Sequence, residues 1–165
     1  YMIIYIPKFN YIKARIFSFF DKETGTHNFQ SDKAIESITS GGFFGKGIGE
    51  GTLKNRVPEA HTDYIISVIS EEFGVIAIIL ILILFLVLIY MVFKKISFET
   101  EEQNKLILIG SVSLILMQAT IHIGVNIRLF PTTGMTLPFL SYGGSSIVST
   151  SILTGIILNL TKRKI

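Results

Sequence analysis

The sequence contains no cysteine and no tryptophan, and only 16% of its residues are charged. Without cysteine, a disulfide bond or a thiolate-ligated metal site is excluded. The net charge of +3 is small and spread through the loops, so nucleic acid is not expected as a partner. Because charges are few, 49% of the residues are hydrophobic and the mean hydropathy is +0.57. This composition is typical of an integral membrane protein.

Long apolar runs predict an all-α integral membrane protein with three transmembrane helices. Residues 75–93 carry no charge and would form a helix about 28 Å long, which matches the hydrocarbon core of a bilayer. The predicted transmembrane helices are residues 63–93, 106–128 and 142–160. Residues 1–7 are also apolar but too short to cross a bilayer, so we interpret them as the end of a truncated transmembrane helix.

Basic residues predict the orientation of these helices. Residues 94–105 and 161–165 are short segments with lysine or arginine close to a transmembrane helix, so both are predicted to be cytoplasmic. Residues 8–62 then form a large extracytoplasmic loop, with an amphipathic helix near its start and a glycine-rich segment near its end. Residues 129–141 form a second extracytoplasmic loop.

The first predicted transmembrane helix carries polar side chains along one face. A helix that starts at residue 63 would bring small and acidic residues to one side: Asp63, Ser67, Glu71 and Gly74. Carboxylates at membrane depth are costly and often mark a functional site. The alternative is that Asp63 only caps the helix, while Glu71 and Glu72 pair with a neighbouring helix. Position alone favours neither interpretation.

The second predicted transmembrane helix carries Gln118, His122 and Asn126 at four-residue spacing. Their polar groups share one face and must find partners inside a bundle or a wet cavity. We interpret His122 as a structural hydrogen-bonding group rather than as a metal ligand or a base.

Residues 41–51 contain six glycines, which exclude a regular element. Their lysine, Lys46, invites comparison with phosphate-binding loops, but the GK[ST] ending and a preceding buried strand are absent. Glycines also let backbone N–H groups approach a ligand, or let a loop fold over a membrane cavity. Lys46, Lys54 and Arg56 would then supply positive charge to that cavity. A flexible surface loop is the alternative.

Three stretches of the sequence resemble the bacterial SEDS family, whose members act in shape, elongation, division and sporulation. They are AIESITSGGFFGKGIGEG at residues 34–51, PEAHTDYIISVISEEFG at residues 58–74 and PTTGMTLPFLSYGGSS at residues 131–146. The stretches occur in the order and spacing of the family. Their residues resemble those of the cell-division member of the family more closely than those of the elongation member.

This resemblance implies a membrane glycosyltransferase that polymerises lipid II, the undecaprenyl-pyrophosphate-linked disaccharide pentapeptide. Such an enzyme works on the outer face of the bacterial inner membrane, and its implied partners are a class B penicillin-binding protein and other membrane proteins of the division machinery. Members of the family have many more transmembrane helices, so the sequence is predicted to be the C-terminal portion of such an enzyme.

The resemblance also implies roles for individual residues. Asp63, in the triplet HTD, is the catalytic carboxylate, and it would act as the general base of an inverting displacement. The residues expected to bind substrate are His61, Lys46, Lys54, Arg56, Arg128, Ser141, Gly143 and Gly144. The residues expected to support the site are Glu71, Glu72, Gln118, His122 and Asn126. No metal ligand is assigned, and a divalent cation at the departing pyrophosphate is left open.

Two other functions remain open at this point. The polar faces of the second and third transmembrane helices could line a path along which a lipid-linked precursor is flipped across the membrane. Alternatively, the chain could be a truncated, non-catalytic remnant that only binds partners in the division machinery.

Overall fold

The computed structural model describes the backbone of residues 26–57 and 60–162, and their side chains except at 26–29 and 54. All regular structure within these ranges is helical, as predicted. The helices are α1 (Thr26–Gly41), α2 (Leu53–Arg56), α3 (Ile65–Phe98), α4 (Glu102–Asn126) and α5 (Gly144–Thr161). The predicted helix end at residues 1–7 and the amphipathic helix at the start of residues 8–62 lie outside the described residues.

The chain is a multi-pass membrane protein. Three helices, α3, α4 and α5, are long and apolar enough to cross a bilayer. Large apolar side chains are exposed along them, including Leu80 at 60% and Leu84 at 61% on α3. These side chains are suited to contact with lipid.

The ends of two transmembrane helices differ from the predicted ones by a few residues. The helix predicted at residues 63–93 begins at Ile65 and continues to Phe98, and α4 begins at Glu102 rather than at residue 106. Salt bridges extend both helices beyond their apolar runs, from Lys95 to Glu99 at 3.4 Å and from Lys105 to Glu102 at 2.9 Å. The predicted cytoplasmic loop of residues 94–105 is therefore reduced to residues 99–101.

The transmembrane helix α3 is broken at Gly74. This residue has φ 78° and ψ −177°, a conformation that only glycine adopts readily. On a straight helix, Ile66 and Phe85 would lie about 28 Å apart. Both nevertheless belong to or pack against one small apolar cluster that contains Leu137. The break therefore bends the two halves of α3 toward each other.

The glycine loop, residues 42–52, is inserted at this break. Backbone hydrogen bonds join it to both halves of α3: Lys46 N–H to Glu71 O at 2.8 Å, Gly47 N–H to Glu72 O at 3.1 Å, Val75 N–H to Gly42 O at 3.0 Å and Ile76 N–H to Phe43 O at 3.5 Å. The loop thus satisfies backbone groups that the break removes from the helical ladder. Gly45 is needed for close backbone packing, since a Cβ atom there would lie 2.2 Å from Glu72 O. These contacts favour a packed loop over the alternative of a flexible surface loop.

Small residues bring α1 against α3. A Cβ atom at Gly41, the last residue of α1, would lie 2.0 Å from the carbonyl oxygen of Ser70. Ala34 and Ser37 share this face of α1 and are buried. The close approach of the two helices holds the glycine loop at the break of α3.

Candidate functional site

The HTD segment, residues 61–63, is not helical, because its backbone carbonyls are hydrogen-bonded to other elements. Tyr142 N–H donates to His61 O at 3.1 Å, and Asn126 Nδ2 donates to Asp63 O at 2.9 Å. Thr62 O accepts from Ser141 Oγ at 2.8 Å and lies 3.2 Å from His122 Nε2. We call this set of hydrogen bonds the carbonyl clamp. It explains why the predicted helix start at Asp63 is wrong, since the carbonyls that would continue the helix are already engaged.

Asn126 also caps α3 from outside that helix. Its Oδ1 accepts from the backbone N–H of Ser67 at 3.2 Å and from Ser67 Oγ at 2.7 Å. The N–H of Ser67 is one of the first in α3 and has no partner within the helix. The N-cap residue, Tyr64, makes no side-chain capping bond, so the fully buried Asn126 of α4 takes that part.

His122 contributes to the clamp through its ring nitrogen Nε2. Thr62 O, 3.2 Å away, can only accept a hydrogen bond, so Nε2 carries a proton. Nε2 then donates to Thr62 O. Within the described residues no group of three His, Asp or Glu side chains is arranged for a metal ion. The geometry gives His122 a hydrogen-bonding part in the clamp.

Gln118 fixes the α4–α5 loop, residues 127–143, which forms the other wall of the site. Its Nε2 donates to Thr136 O at 3.0 Å and lies 3.2 Å from both Thr136 Oγ1 and Ser146 Oγ. Thr136 Oγ1 in turn donates to Ser146 Oγ at 2.6 Å. Further along the loop, Leu137 N–H donates to Ser141 Oγ at 2.7 Å. The Ser141 hydroxyl that donates to Thr62 O is therefore itself fixed by the backbone of the loop.

The carboxylate of Asp63 stands where these elements meet. Its side chain is half-buried, and a Cβ atom at Gly134 would lie 3.8 Å from Asp63 Oδ2. Gly134 has φ 70° and leaves the space beside the carboxylate open. Its neighbour His61 is exposed. A partly accessible carboxylate on a fixed backbone is suited to general-base chemistry.

Glu71, predicted to support the site, is instead the centre of a second polar cluster. It is 1% exposed and accepts from Lys46 Nζ at 2.8 Å, Thr52 Oγ1 at 3.1 Å and Leu53 N–H at 2.9 Å. The partners of Glu71 are therefore the glycine loop and the first residue of α2. The half-buried Glu72 lies near Gly51 of the same loop.

A polar cavity of about 220 Å³ lies beside this cluster. Its lining includes Lys33, Glu36, Ser40, Lys46, Arg56 and Glu71. A hydrogen bond and the charge of Lys33 hold the pKa of Glu36 below its usual value. Lys46 and Arg56 both line this cavity, and Lys46 is paired with Glu71. Their role in binding substrate remains a prediction. The side chain of Lys54 lies outside the described part of the chain.

The other predicted substrate-binding residues are divided between the two regions. Arg128, with φ 60°, forms an ion pair with Asp32 of α1. Ser141 is in the carbonyl clamp, and Gly143 and Gly144 follow it at the start of α5. A Cβ atom at Gly143 would lie 3.3 Å from Thr136, whereas Gly144 borders open space. Four of these residues therefore belong to the carbonyl clamp or follow it directly in sequence: His61, Ser141, Gly143 and Gly144.

Sequence reasoning missed several contributors to these two regions. Thr52 and Asp32 have no spacing signal that links them to Glu71 and Arg128. Thr136 was detectable only as a candidate partner for the polar face of α4. The clamp itself is invisible in the sequence, because backbone carbonyls are present at every residue.

The sequence matches the family model for cell cycle proteins of the FtsW, RodA and SpoVE type over residues 1–165. It is 41% identical over 138 residues to the probable peptidoglycan glycosyltransferase FtsW of Enterococcus hirae, covering 83% of this chain and 35% of that protein. It is 38% identical over 158 residues to the probable peptidoglycan glycosyltransferase FtsW of Caulobacter vibrioides (strain NA1000 / CB15N), covering 94% and 40%. It is also 38% identical over 135 residues to stage V sporulation protein E of Bacillus subtilis (strain 168), covering 81% and 37%.

The fold is likewise similar to a solved one. A chain in a structure of a peptidoglycan synthase complex that coordinates polymerization and crosslinking matches with a TM-score of 0.75 and 25% identity, over 95% of this chain and 42% of that chain. These matches confirm the resemblance that the sequence motifs indicated. The chain spans about two fifths of the length of these relatives, from 35% to 42%.

Proposed function

Because the chain belongs to the FtsW/RodA/SpoVE family of cell cycle proteins, we propose that it is the catalytic C-terminal portion of a peptidoglycan glycosyltransferase. Its substrate is lipid II, and its partners are a class B penicillin-binding protein and other membrane proteins of cell division. Relatives named as peptidoglycan glycosyltransferases support the reaction class. The single structural observation that supports it most is the carbonyl clamp, which fixes the backbone around the accessible Asp63.

The reaction assigns one proton transfer to Asp63. Its carboxylate accepts the proton of the acceptor sugar hydroxyl while that oxygen bonds to the anomeric carbon of the donor. The bond between the anomeric carbon and the pyrophosphate oxygen breaks, and the pyrophosphate leaves with the electron pair. A single carboxylate base with direct displacement inverts the configuration at that carbon.

The clamp supports this role because a general base must be held at a fixed distance from the acceptor oxygen. Asn126, His122 and Ser141 hold residues 62 and 63 through backbone carbonyls, and none of these bonds uses a carboxylate oxygen. Gln118 and Asn126 bond to backbone and side-chain groups of their own bundle. This use of their polar groups does not favour the alternative in which they line a path for lipid translocation.

Positive charge is needed where the pyrophosphate departs. His61 is exposed next to Asp63, and we place it beside the pyrophosphate. The backbone N–H groups at the start of α5, from Gly144, supply the positive end of a helix dipole near the same segment. A divalent cation carried by the pyrophosphate would add to this charge.

We test the role of Asp63 with Asp63→Asn in the chain reconstituted in nanodiscs with fluorescent lipid II. Loss of the base is expected to lower the rate of glycan formation by about 100- to 10,000-fold, because a positioned base contributes that much. Glu50→Gln is the control, since it makes the same change from acid to amide at an exposed carboxylate of the glycine loop. Glycan formation is measured by gel electrophoresis.

The proposal is wrong if Asp63→Asn forms glycan at the rate of the unchanged chain. It is also wrong if the unchanged chain forms none when supplied with lipid II, its penicillin-binding partner and the rest of its own polypeptide. Equal losses in Asp63→Asn and Glu50→Gln would assign the effect to charge rather than to a base.

A further inference from the structure

An apolar groove lies between the second half of α3 and the α4–α5 loop. Its volume is about 200 Å³, and all the residues that line it are apolar: Ile81, Leu84, Phe85, Leu88, Pro138, Phe139 and Leu140. The four residues of α3 follow at helical spacing, so they form one stripe about 10 Å long. Leu84 and Phe139 are exposed, so the groove is open on one side in the described part of the chain.

The groove is adjacent to the HTD segment. Pro138, Phe139 and Leu140 lie between Leu137 and Ser141, and these two residues are joined by a hydrogen bond. Ser141 Oγ donates in turn to Thr62 O. One chain of hydrogen bonds therefore connects the wall of the groove to the residue before Asp63.

The apolar cluster beneath the loop gives a second connection. Phe85 lines the groove and also packs against the cluster of Ile66, Ala119 and Leu137. Ile66 is three residues from Asp63, in the first half of α3. The break at Gly74 thus lets the apolar stripe of the second half of α3 and the start of the same helix pack against one cluster.

The backbone of Phe139 is strained where it forms the wall of the groove. Its φ is 69°, a region that a bulky residue rarely adopts. Such strain persists only where the surrounding structure holds it, and it concentrates at functional sites. Despite this strain, the ring remains 49% exposed. Phe139 is therefore held where a ligand could contact it.

We propose that this groove binds the first isoprene units of the polyprenyl chain of the substrate. This proposal rests on the proposed function, because it places the reacting sugar at Asp63. The pyrophosphate of such a substrate joins the sugar directly to the isoprenoid, so apolar surface must begin within a few bonds of the reacting carbon. The groove satisfies this requirement, and its open side lets the rest of the chain continue into the bilayer.

The proposal is tested with a polyprenyl pyrophosphate that carries a diazirine on its second isoprene unit. The chain is reconstituted in phosphatidylglycerol nanodiscs and irradiated, and the labelled residues are mapped by mass spectrometry. Labels are expected on Leu84, Phe85 or Phe139, and excess unlabelled polyprenyl pyrophosphate should remove them. A phosphatidylglycerol with a diazirine on its acyl chain should label lipid-facing residues without such competition.

Two substitutions on α3 provide a matched pair. Leu84→Trp fills the groove, and Leu80→Trp places the same ring one turn away at a residue that is equally exposed and outside the groove. Labelling should fall about tenfold or more in Leu84→Trp, because the indole replaces isoprenoid surface, and should not change in Leu80→Trp. Phe139→Gly removes the ring and relieves the strain, so it should lower labelling without lowering the melting temperature.

Equal labelling in both tryptophan variants would overturn the proposal. So would labels that unlabelled polyprenyl pyrophosphate does not remove, or a groove that stays unlabelled because another helix covers it. Failure of the proposed function gives a different result from failure of the groove. If unlabelled polyprenyl pyrophosphate removes the labels in the groove but no glycan forms, only the proposed function is refuted. Glycan formation by Leu84→Trp at the unchanged rate would refute only the groove.

Discussion

At the scale of single residues, Asn126 does the most to hold the candidate site. Its amide joins α4 to the backbone of Asp63 through Nδ2 and to the first turn of α3 through Oδ1. It is fully buried, so no water can replace these bonds when they are lost. The position of a proposed catalytic group thus depends on a side chain 63 residues away.

We expect Asn126→Leu to destabilise the protein by about 2–4 kcal/mol, because a near-isosteric apolar side chain leaves buried polar groups without partners. Asn104→Leu is the matched control at the other end of α4, where the amide makes an exposed bond to Glu101. That change should cost less than about 1 kcal/mol. Thermal unfolding in detergent measures both, and equal shifts would refute the importance of the clamp.

Glu71 leads to a second prediction at this scale. Glu71→Gln should cost about 1–3 kcal/mol, because the amide has one acceptor oxygen and its NH₂ would face either Lys46 or the N–H of Leu53. Glu50→Gln, at an exposed residue of the glycine loop, should stay within about 0.5 kcal/mol. Urea unfolding compares them. A larger cost at Glu50 would show that charge, not the buried contacts, matters.

Individual residues also show what the sequence could predict about the site. The spacing of Gln118, His122 and Asn126 was readable, since polar groups on an apolar helix require partners. Their partners were not readable, because they are mainly backbone carbonyls and loop hydroxyls. Glu71 was misplaced because no periodicity connects it to Lys46 across a loop. Asp63 came from the motif, and its role as the base remains a prediction.

At the scale of elements, the break in α3 and the glycine loop form one unit. Either part alone would leave buried backbone groups without hydrogen bonds, because each supplies the partners of the other. The closeness of the two backbones requires glycine on both sides. A Cβ atom at Gly74 would lie 2.2 Å from Phe43 O, and one at Gly45 would lie 2.2 Å from Glu72 O.

Gly74→Ala should therefore destabilise the protein by more than about 2 kcal/mol, since it adds both backbone strain and a collision. The matched control is Gly110→Ala in α4, where a Cβ atom meets nothing within 4 Å. That change should stabilise the helix by about 0.5–1 kcal/mol. The melting temperatures in detergent should move in opposite directions. A loss in both variants would contradict the proposed basis of the break.

Hydropathy predicted three transmembrane helices in these places, because uncharged apolar runs of this length are long enough to cross a bilayer. It did not predict that α3 bends, because one glycine among apolar residues is common in membrane helices. The helix ends were misjudged by a few residues, at the ends of α3 and α4 where charged residues follow or precede the apolar run. Local charges at a helix end are too weak a signal to set a boundary.

At the scale of the whole molecule, orientation in the membrane remains a prediction. The absence of cysteine makes it directly testable, since an introduced cysteine is the only thiol. Ile48→Cys lies on the glycine loop and Phe98→Cys at the far end of α3, and both side chains are more than 70% exposed. A membrane-impermeant maleimide should label Ile48→Cys in intact spheroplasts and Phe98→Cys only after lysis. The unchanged chain is the control, and reversed labelling would invert the predicted orientation.

During synthesis, the residues that form the glycine loop and the break of α3 are made before those that complete the carbonyl clamp. The glycine loop and the break of α3 lie within residues 42–76, so both are present once the first half of α3 has emerged. The clamp needs side chains and backbone as far as Tyr142. During synthesis, Asp63 therefore enters its final surroundings only after all of α4 and the loop that follows it have been made. A nascent chain that stops at residue 100 would contain the glycine loop and all of α3, but none of the side chains that form the carbonyl clamp.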